Sequence, residues 1–178
     1  MKKKINIILM TALIILCFSG CNNLNSNQKL KVTDIPWKVK MGINYLDDRA
    51  AMVEYTNNTE YTITEISLTF KMKENIKTEE LDGFYSYLSK EYQLSQDDVN
   101  ELKNESISMN SHAYLDKEEF LQKGDKHEES LCYGIKFIRN LDYYKLFEPD
   151  MYIITYLNES GEEHTTFYDY INKQYTNQ

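Results

Sequence analysis

Proline and glycine are scarce, with two and six in 178 residues. That excludes a collagen-like chain and leaves little material for a Pro/Gly linker between domains. Cysteine is also rare. Of three, Cys17 and Cys21 lie at the very start and only Cys132 lies in the body of the chain. No disulfide is therefore expected within the body, and Cys132, with no acceptable local partner for a nucleophile role, reads as a small buried or half-buried residue. Basic residues are outnumbered, 20 Lys and Arg against 28 Asp and Glu, for a formal charge of −8. Such a chain repels phosphates instead of releasing their counterions, so nucleic acid is not expected as a partner. Familiar catalytic signatures are missing too: no Gly-x-Ser-x-Gly, no Gly-rich phosphate loop, no Ser-x-x-Lys. His112, His127 and His164 fall in different segments at no metal-ligand spacing. The body therefore reads as non-enzymatic, with no cofactor and no metal.

What is present is a folded chain. Aromatics make up 13% of the residues, with 15 Tyr, too many for a disordered polymer. The length suits one domain. Long apolar runs are limited to one, Ile5 to Phe18, which follows Lys2, Lys3 and Lys4. A basic start, a 14-residue apolar stretch and small residues after it have the build of a secretory signal. The run is shorter than the ~17–25 residues of a spanning helix.

The segment Phe18-Ser19-Gly20-Cys21 resembles the lipobox of bacterial lipoproteins. Phe18 departs from the usual Leu, Val or Ile. The resemblance implies cleavage between Gly20 and Cys21 and lipidation of Cys21, with the mature chain held at the extracytoplasmic face of the cell membrane. Two acyl chains give stable anchoring. Loss of residues 1–20, with three Lys and no acid, takes the charge from −8 to −11. Residues 21–34 are polar and read as a flexible tether. The abundance of Asn, Lys, Ile and Tyr points to AT-rich coding and a low-GC Gram-positive source.

Residues 35–172 read as a single β-rich domain, and 173–178 as a polar tail. Period-two alternation dominates. Trp37, Val39, Met41, Ile43 and Tyr45 are expected on one face of a first strand, Ala51, Val53 and Tyr55 on a second, and Ile66, Leu68, Phe70 and Met72 on a third. With turns at Leu46–Arg49 and Asn57-Asn58, these predict an antiparallel meander. Over 74–105 the period becomes helical. Thr78 is the expected N-cap of a helix carrying Leu81, Phe84, Tyr85, Leu88 and Tyr92 on one stripe, and Ser95 with Asp98 opens a second helix. The stripe is expected to pack on its own sheet. Alternation returns at Ile107–Leu115 and Leu131–Phe137. Met151–Leu157 and Glu162–Tyr170 predict a hairpin with a four-residue loop, Asn158 to Gly161.

Val53-Glu54-Tyr55-Thr56-Asn57-Asn58-Thr59, Gln122-Lys123-Gly124-Asp125 and Phe167-Tyr168-Asp169 are similar to segments of small extracellular immunoglobulin-like lipoprotein domains of Gram-positive bacteria. The resemblance implies an antiparallel immunoglobulin-like β-sandwich with a helical insertion. The alternative is an α+β fold with the helices on one antiparallel sheet. No Cys…Trp…Cys pattern of an antibody domain is present.

The expected role is a membrane-anchored binding module for a protein, peptide or glycan. A tethered cell-wall enzyme, an immunity-type lipoprotein and an accessory subunit of a transport complex are the alternatives. The predicted binding surface is the C-terminal hairpin. A four-residue loop sets Tyr152 beside Phe167 and Tyr156 beside Glu163, an aromatic strip suited to a cation or a sugar ring. Phe84 and Tyr85 of the insertion are the second choice.

Overall fold

The computed structural model describes residues 30–134 and 136–176. They form an antiparallel β-sandwich with a helical insertion. One sheet has three strands in the order β1 (Trp37–Ile43), β2 (Arg49–Thr56) and β5 (Lys126–Ser130). The other has seven, β10-β9-β8-β3-β4-β6-β7. Its long members are β3 (Thr62–Met72) and β8 (Phe147–Leu157), flanked by β4 (Ser108–Tyr114) and β9 (Glu163–Asp169). The short strands β6 (Cys132–Tyr133), β7 (Lys136–Phe137) and β10 (Gln174–Thr176) extend the edges.

The predicted alternation is found where both neighbours pair. Ile66, Leu68 and Phe70 of β3, Met109 and Ala113 of β4, and Tyr152 and Ile154 of β8 all point inward and are buried. Ala51, Val53 and Tyr55 of β2 face them from the smaller sheet. Tyr55 and Tyr152 stack across the gap with ring centroids 6.2 Å apart. Trp37 sets its ring edge on Phe70, 5.5 Å between centroids, and its indole N–H donates to the Tyr170 hydroxyl at 2.8 Å.

The predicted meander is not formed. β3 does not pair with β2 but begins the other sheet. β2 is buried from Ala50 to Tyr55, with Ala51, Val53 and Tyr55 toward the core and Glu54 held on the outer face by Lys38 and Lys40. Asn57 then turns the chain. Its side chain is fully buried, its amide donates to the carbonyls of Tyr61 (2.7 Å) and Leu121 (2.9 Å), and its carbonyl oxygen accepts from the amide and hydroxyl of Thr59. The predicted inward facing also fails at the end of β1. Ile43 and Tyr45 are exposed at the β1–β2 turn.

The insertion contains α1 (Thr78–Tyr92) and α2 (Gln96–Leu102). Phe84, Tyr85 and Leu88 are buried, and Phe84 meets Phe147 at the start of β8 with centroids 5.6 Å apart. The stripe thus packs on the domain's own core. Lys77, not Thr78, holds the N-cap position, and Glu80 accepts from the Lys77 amide. Ser95 and Asp98 form the predicted reciprocal cap of α2. A short helix α3 (Leu141–Tyr144) leads into β8.

The body is larger than residues 35–172. Leu30, Val32 and Ile35 are buried, in and beside a 3-10 turn at Val32–Asp34. The Ile35 carbonyl accepts from the Tyr152 hydroxyl at 2.9 Å, and the Val32 amide donates to the Tyr175 hydroxyl. Three apolar residues spaced through a polar stretch suffice to strap it to the sandwich. At the other end of the chain, Gln174–Thr176 pairs with β9 instead of forming a free tail.

Candidate functional site

The predicted binding strip on the C-terminal hairpin is not formed. The hairpin exists, but Tyr152 pairs with Tyr168, Tyr156 with His164 and Ile153 with Phe167. The register is one residue away from the expected one because the loop has five residues. The Asn158 side-chain oxygen accepts from the amides of Ser160 and Glu162, and Gly161 takes φ +78°, so Glu162 belongs to the loop. A one-residue slip exchanges the faces of a strand. The slip puts Phe167 half-buried on the opposite face from Tyr152 and Tyr156, which lie on the core face of β8, 0% and 5% exposed, Tyr152 stacked on Tyr55. Burial holds the Tyr152 phenol well above its ordinary range. Phe84 and Tyr85, the second choice, are buried as well. Gly20 and Cys21 lie outside the described residues.

A hollow of about 380 Å³ lined by Tyr114, Leu115, Phe120 and Leu157 lies beside β4 and the end of β8, and a second open surface lies around the insertion. α1 ends at Tyr92, where Gln93 takes a left-handed conformation (φ 54°) and turns the chain through Leu94 into α2. Facing this corner is the β6–β7 turn. Between them is a cleft of about 410 Å³ whose floor is Tyr92, Leu94, Leu102 and Tyr133 and whose rim carries Asp98, Glu101, Glu105 and Lys136. The Tyr92 hydroxyl donates to the Phe137 carbonyl at 3.1 Å, which fixes the floor to the turn. Burial raises the phenols of Tyr92 and Tyr133, so both stay neutral around pH 7. The Lys136 ammonium sits over the Tyr92 ring, 6.0 Å from its centroid.

A second hollow of about 270 Å³ shares Tyr92 and Lys136 and continues past Phe137 to Leu46 of the β1–β2 turn. Arg139 crosses it, paired to Asp48 at 3.0 Å and Glu91 at 2.9 Å, and so ties that turn to α1. The turn presents Ile43, Tyr45 and Leu46, which are 61%, 78% and 57% exposed. Tyr45 leans edge-on against Phe137, 5.6 Å between centroids. Contiguous apolar exposure of this kind marks interaction surfaces. The turn expected at Leu46–Arg49 starts earlier, at Asn44, so Tyr45, expected on the inward face of the first strand, lies in the turn, where a strand's alternation cannot continue.

The histidines do not converge. His112 pairs with Glu65 at 2.8 Å on the outer face of the larger sheet, where the Thr155 hydroxyl also donates to Glu65 at 3.4 Å. Imidazole and hydroxyl both address the carboxylate rather than each other, which is not the geometry of a base activating a nucleophile. His127 lies 3.6 Å from Glu129, and His164 lies 3.0 Å from the Asn158 side chain. The Cys132 thiol is half-buried, and burial, with Glu129 nearby, pushes it up to about 11. Among the described residues no group of three or more His, Cys, Asp or Glu could hold a metal ion. No helix among them is long and apolar enough to cross a membrane.

No protein-family model, curated protein or solved structure matches this chain.

Proposed function

We propose that this chain is an extracytoplasmic, lipid-anchored binding protein, non-enzymatic, which takes a protein or peptide ligand at its insertion end. The carrying observation is the placement of open apolar surface. The cleft and the adjoining hollow share Tyr92 and Lys136 at the C-terminal end of α1, and Tyr45 of the Ile43–Leu46 turn meets Phe137 beside them; the insertion follows Met72, which pairs with Phe147 at the start of β8. Leu30 lies by Asn58–Tyr61 and Glu159, next to the loop that closes the far end of β8. β8 has eleven residues and so spans about 36 Å at ~3.3 Å per residue. Eight residues separate Cys21 from Leu30. A lipid on Cys21 would hold the Leu30 end toward the bilayer and present the insertion end to the outside.

The strand order supports reading the sandwich as immunoglobulin-like. β1-β2-β5 against β9-β8-β3-β4 follows the order A-B-E against G-F-C-C′, with the helices inserted between C and C′. Such a frame leaves its loops and edges for binding.

The test is metabolic labelling with an alkyne-bearing fatty acid in a Gram-positive host. The wild-type chain should be labelled and found in the membrane fraction, and Cys21→Ala should be neither labelled nor cleaved before residue 21. Continued acylation of Cys21→Ala overturns the anchoring.

A further inference from the structure

Resting on the reading of the insertion end as a ligand surface, we infer that the cleft between α1, α2 and the β6–β7 turn takes a cationic amphipathic peptide. An aliphatic side chain of that peptide lies on the Leu94–Leu102 floor, and a neighbouring Lys or Arg lies beside Glu101 and Glu105.

Charge complementarity carries the argument. Three acids and one base line the cleft. Asp98 is engaged, since its carboxylate accepts from the amide and hydroxyl of Ser95 at 2.9 and 2.7 Å. Glu101 and Glu105 make no ion pair among the described residues, and both are exposed. The nearby cations are occupied elsewhere. Lys103 pairs with Asp82 at 3.7 Å and lies over the Tyr85 ring, and Arg139 is held by Asp48 and Glu91. Two free carboxylates beside a half-buried apolar floor match a ligand with opposite charge and an apolar side chain.

The floor already receives a cation from its own chain, because the Lys136 ammonium lies over Tyr92. An electron-rich ring face attracts ammonium and guanidinium groups alike. Lys136 is also exposed, so it competes with an incoming cation without being locked in place. A volume of about 410 Å³ lies toward the lower end of ligand pockets, enough for a short segment's side chains. The formal charge, −8 for the whole chain and −11 once residues 1–20 are lost, adds long-range attraction for such a ligand.

Full-length protein in neutral detergent micelles is titrated with three fluorescent pentapeptides: Lys-Leu-Lys-Leu-Lys, Glu-Leu-Glu-Leu-Glu and penta-lysine. Fluorescence anisotropy reads binding. The Lys-Leu peptide should bind, penta-lysine more weakly, and the Glu-Leu peptide not at all. Reversing both charges, Glu101→Lys with Glu105→Lys, should weaken Lys-Leu binding by about tenfold or more, since like charges are then juxtaposed. Lys136→Ala should tighten it several-fold. Circular dichroism melts confirm that these surface variants stay folded. Equal binding of all three peptides, no binding of the Lys-Leu peptide, or binding unmoved by the double reversal would each overturn the cleft as the site. Fatty-acid labelling of Cys21 in the same variants stands apart from these outcomes, so failure of the cleft and failure of the anchor are read separately.

Discussion

Asn57 closes four hydrogen bonds at the point where the chain leaves one sheet for the other. Its two donated bonds reach carbonyls on separate segments, Tyr61 and Leu121, and no water-exposed route exists for a fully buried amide. Asn57→Ala leaves those carbonyls without that donor and should cost about 2–4 kcal/mol, because buried polar groups left unpaired lose their solvation outright. Asn57→Asp should cost at least as much, since it turns the donor into an acceptor facing acceptors. The midpoint of urea unfolding checks both. Glu54 offers a second residue-scale test. On the outer face of the smaller sheet it is clasped by Lys40 at 2.6 Å and Lys38 at 2.9 Å, with Lys126 at 3.5 Å. The hydrogen bond from Lys40, then that from Lys38, lowers its carboxyl from 4.5 to about 2. A lowered folded-state value stabilises the fold fully above pH 4.5, and the contribution fades as pH falls toward 2. The stability gap between wild type and Glu54→Gln should therefore be widest at neutral pH and shrink through that acid window. A gap independent of pH from 7 to 2 would show that the lysines do not hold the carboxylate in solution.

At the scale of elements, the strap at Leu30–Ile35 makes the sharpest prediction. Ile35 is fully buried, and its carbonyl satisfies the Tyr152 hydroxyl beneath it. Ile35→Ala should lower stability by about 2–4 kcal/mol, the cost of a cavity in a packed core. If the strap only decorates the sandwich, the variant will unfold at the wild-type denaturant concentration. This element was missed in the sequence because Leu30, Val32 and Ile35 are separated by Lys31, Thr33 and Asp34, and neither a period of two nor one of 3.6 survives in so short a stretch. The helices were legible for the opposite reason: fifteen residues of α1 give several turns in which Phe84, Tyr85 and Leu88 can recur. The hairpin was legible as a hairpin, yet its register turned on whether Glu162 belonged to the strand or the loop. The Asn158 side chain decides that by binding the Glu162 amide, and a side-chain-to-backbone bond leaves no mark in an alternation pattern. The candidate site shared that fate. Its aromatic strip required a register, whereas the cleft that exists requires three segments, α1, α2 and the β6–β7 turn, brought together only by tertiary packing.

For the whole molecule, the fold should need neither a disulfide nor a metal ion. Two sheets close over Tyr55, Tyr152, Phe70 and the Trp37–Tyr170 pair, and the insertion adds Phe84 and Leu88. A body of about 150 residues buries enough apolar surface to fold without covalent or metal staples. Within the described residues Cys132 is the one cysteine, and no cluster of ligands could hold a metal ion. Thermal melts of the protein with and without EDTA, and with and without reductant, should therefore superimpose. A drop of several degrees with EDTA would reveal a bound ion that contributes to the folded state, and a drop with reductant would reveal a disulfide. Cys132 supplies a further readout from the same sample. Its thiol is pushed up to about 11 by burial, so little thiolate exists at pH 8, and thiolate is the form that reacts with iodoacetamide. Alkylation of Cys132 should be slow in the native protein and accelerate sharply across the unfolding transition, tracking the loss of the core. Fast native-state labelling of Cys132, resolved by peptide mapping, would mean that the edge formed by β6 and β7 opens independently of the sandwich it borders.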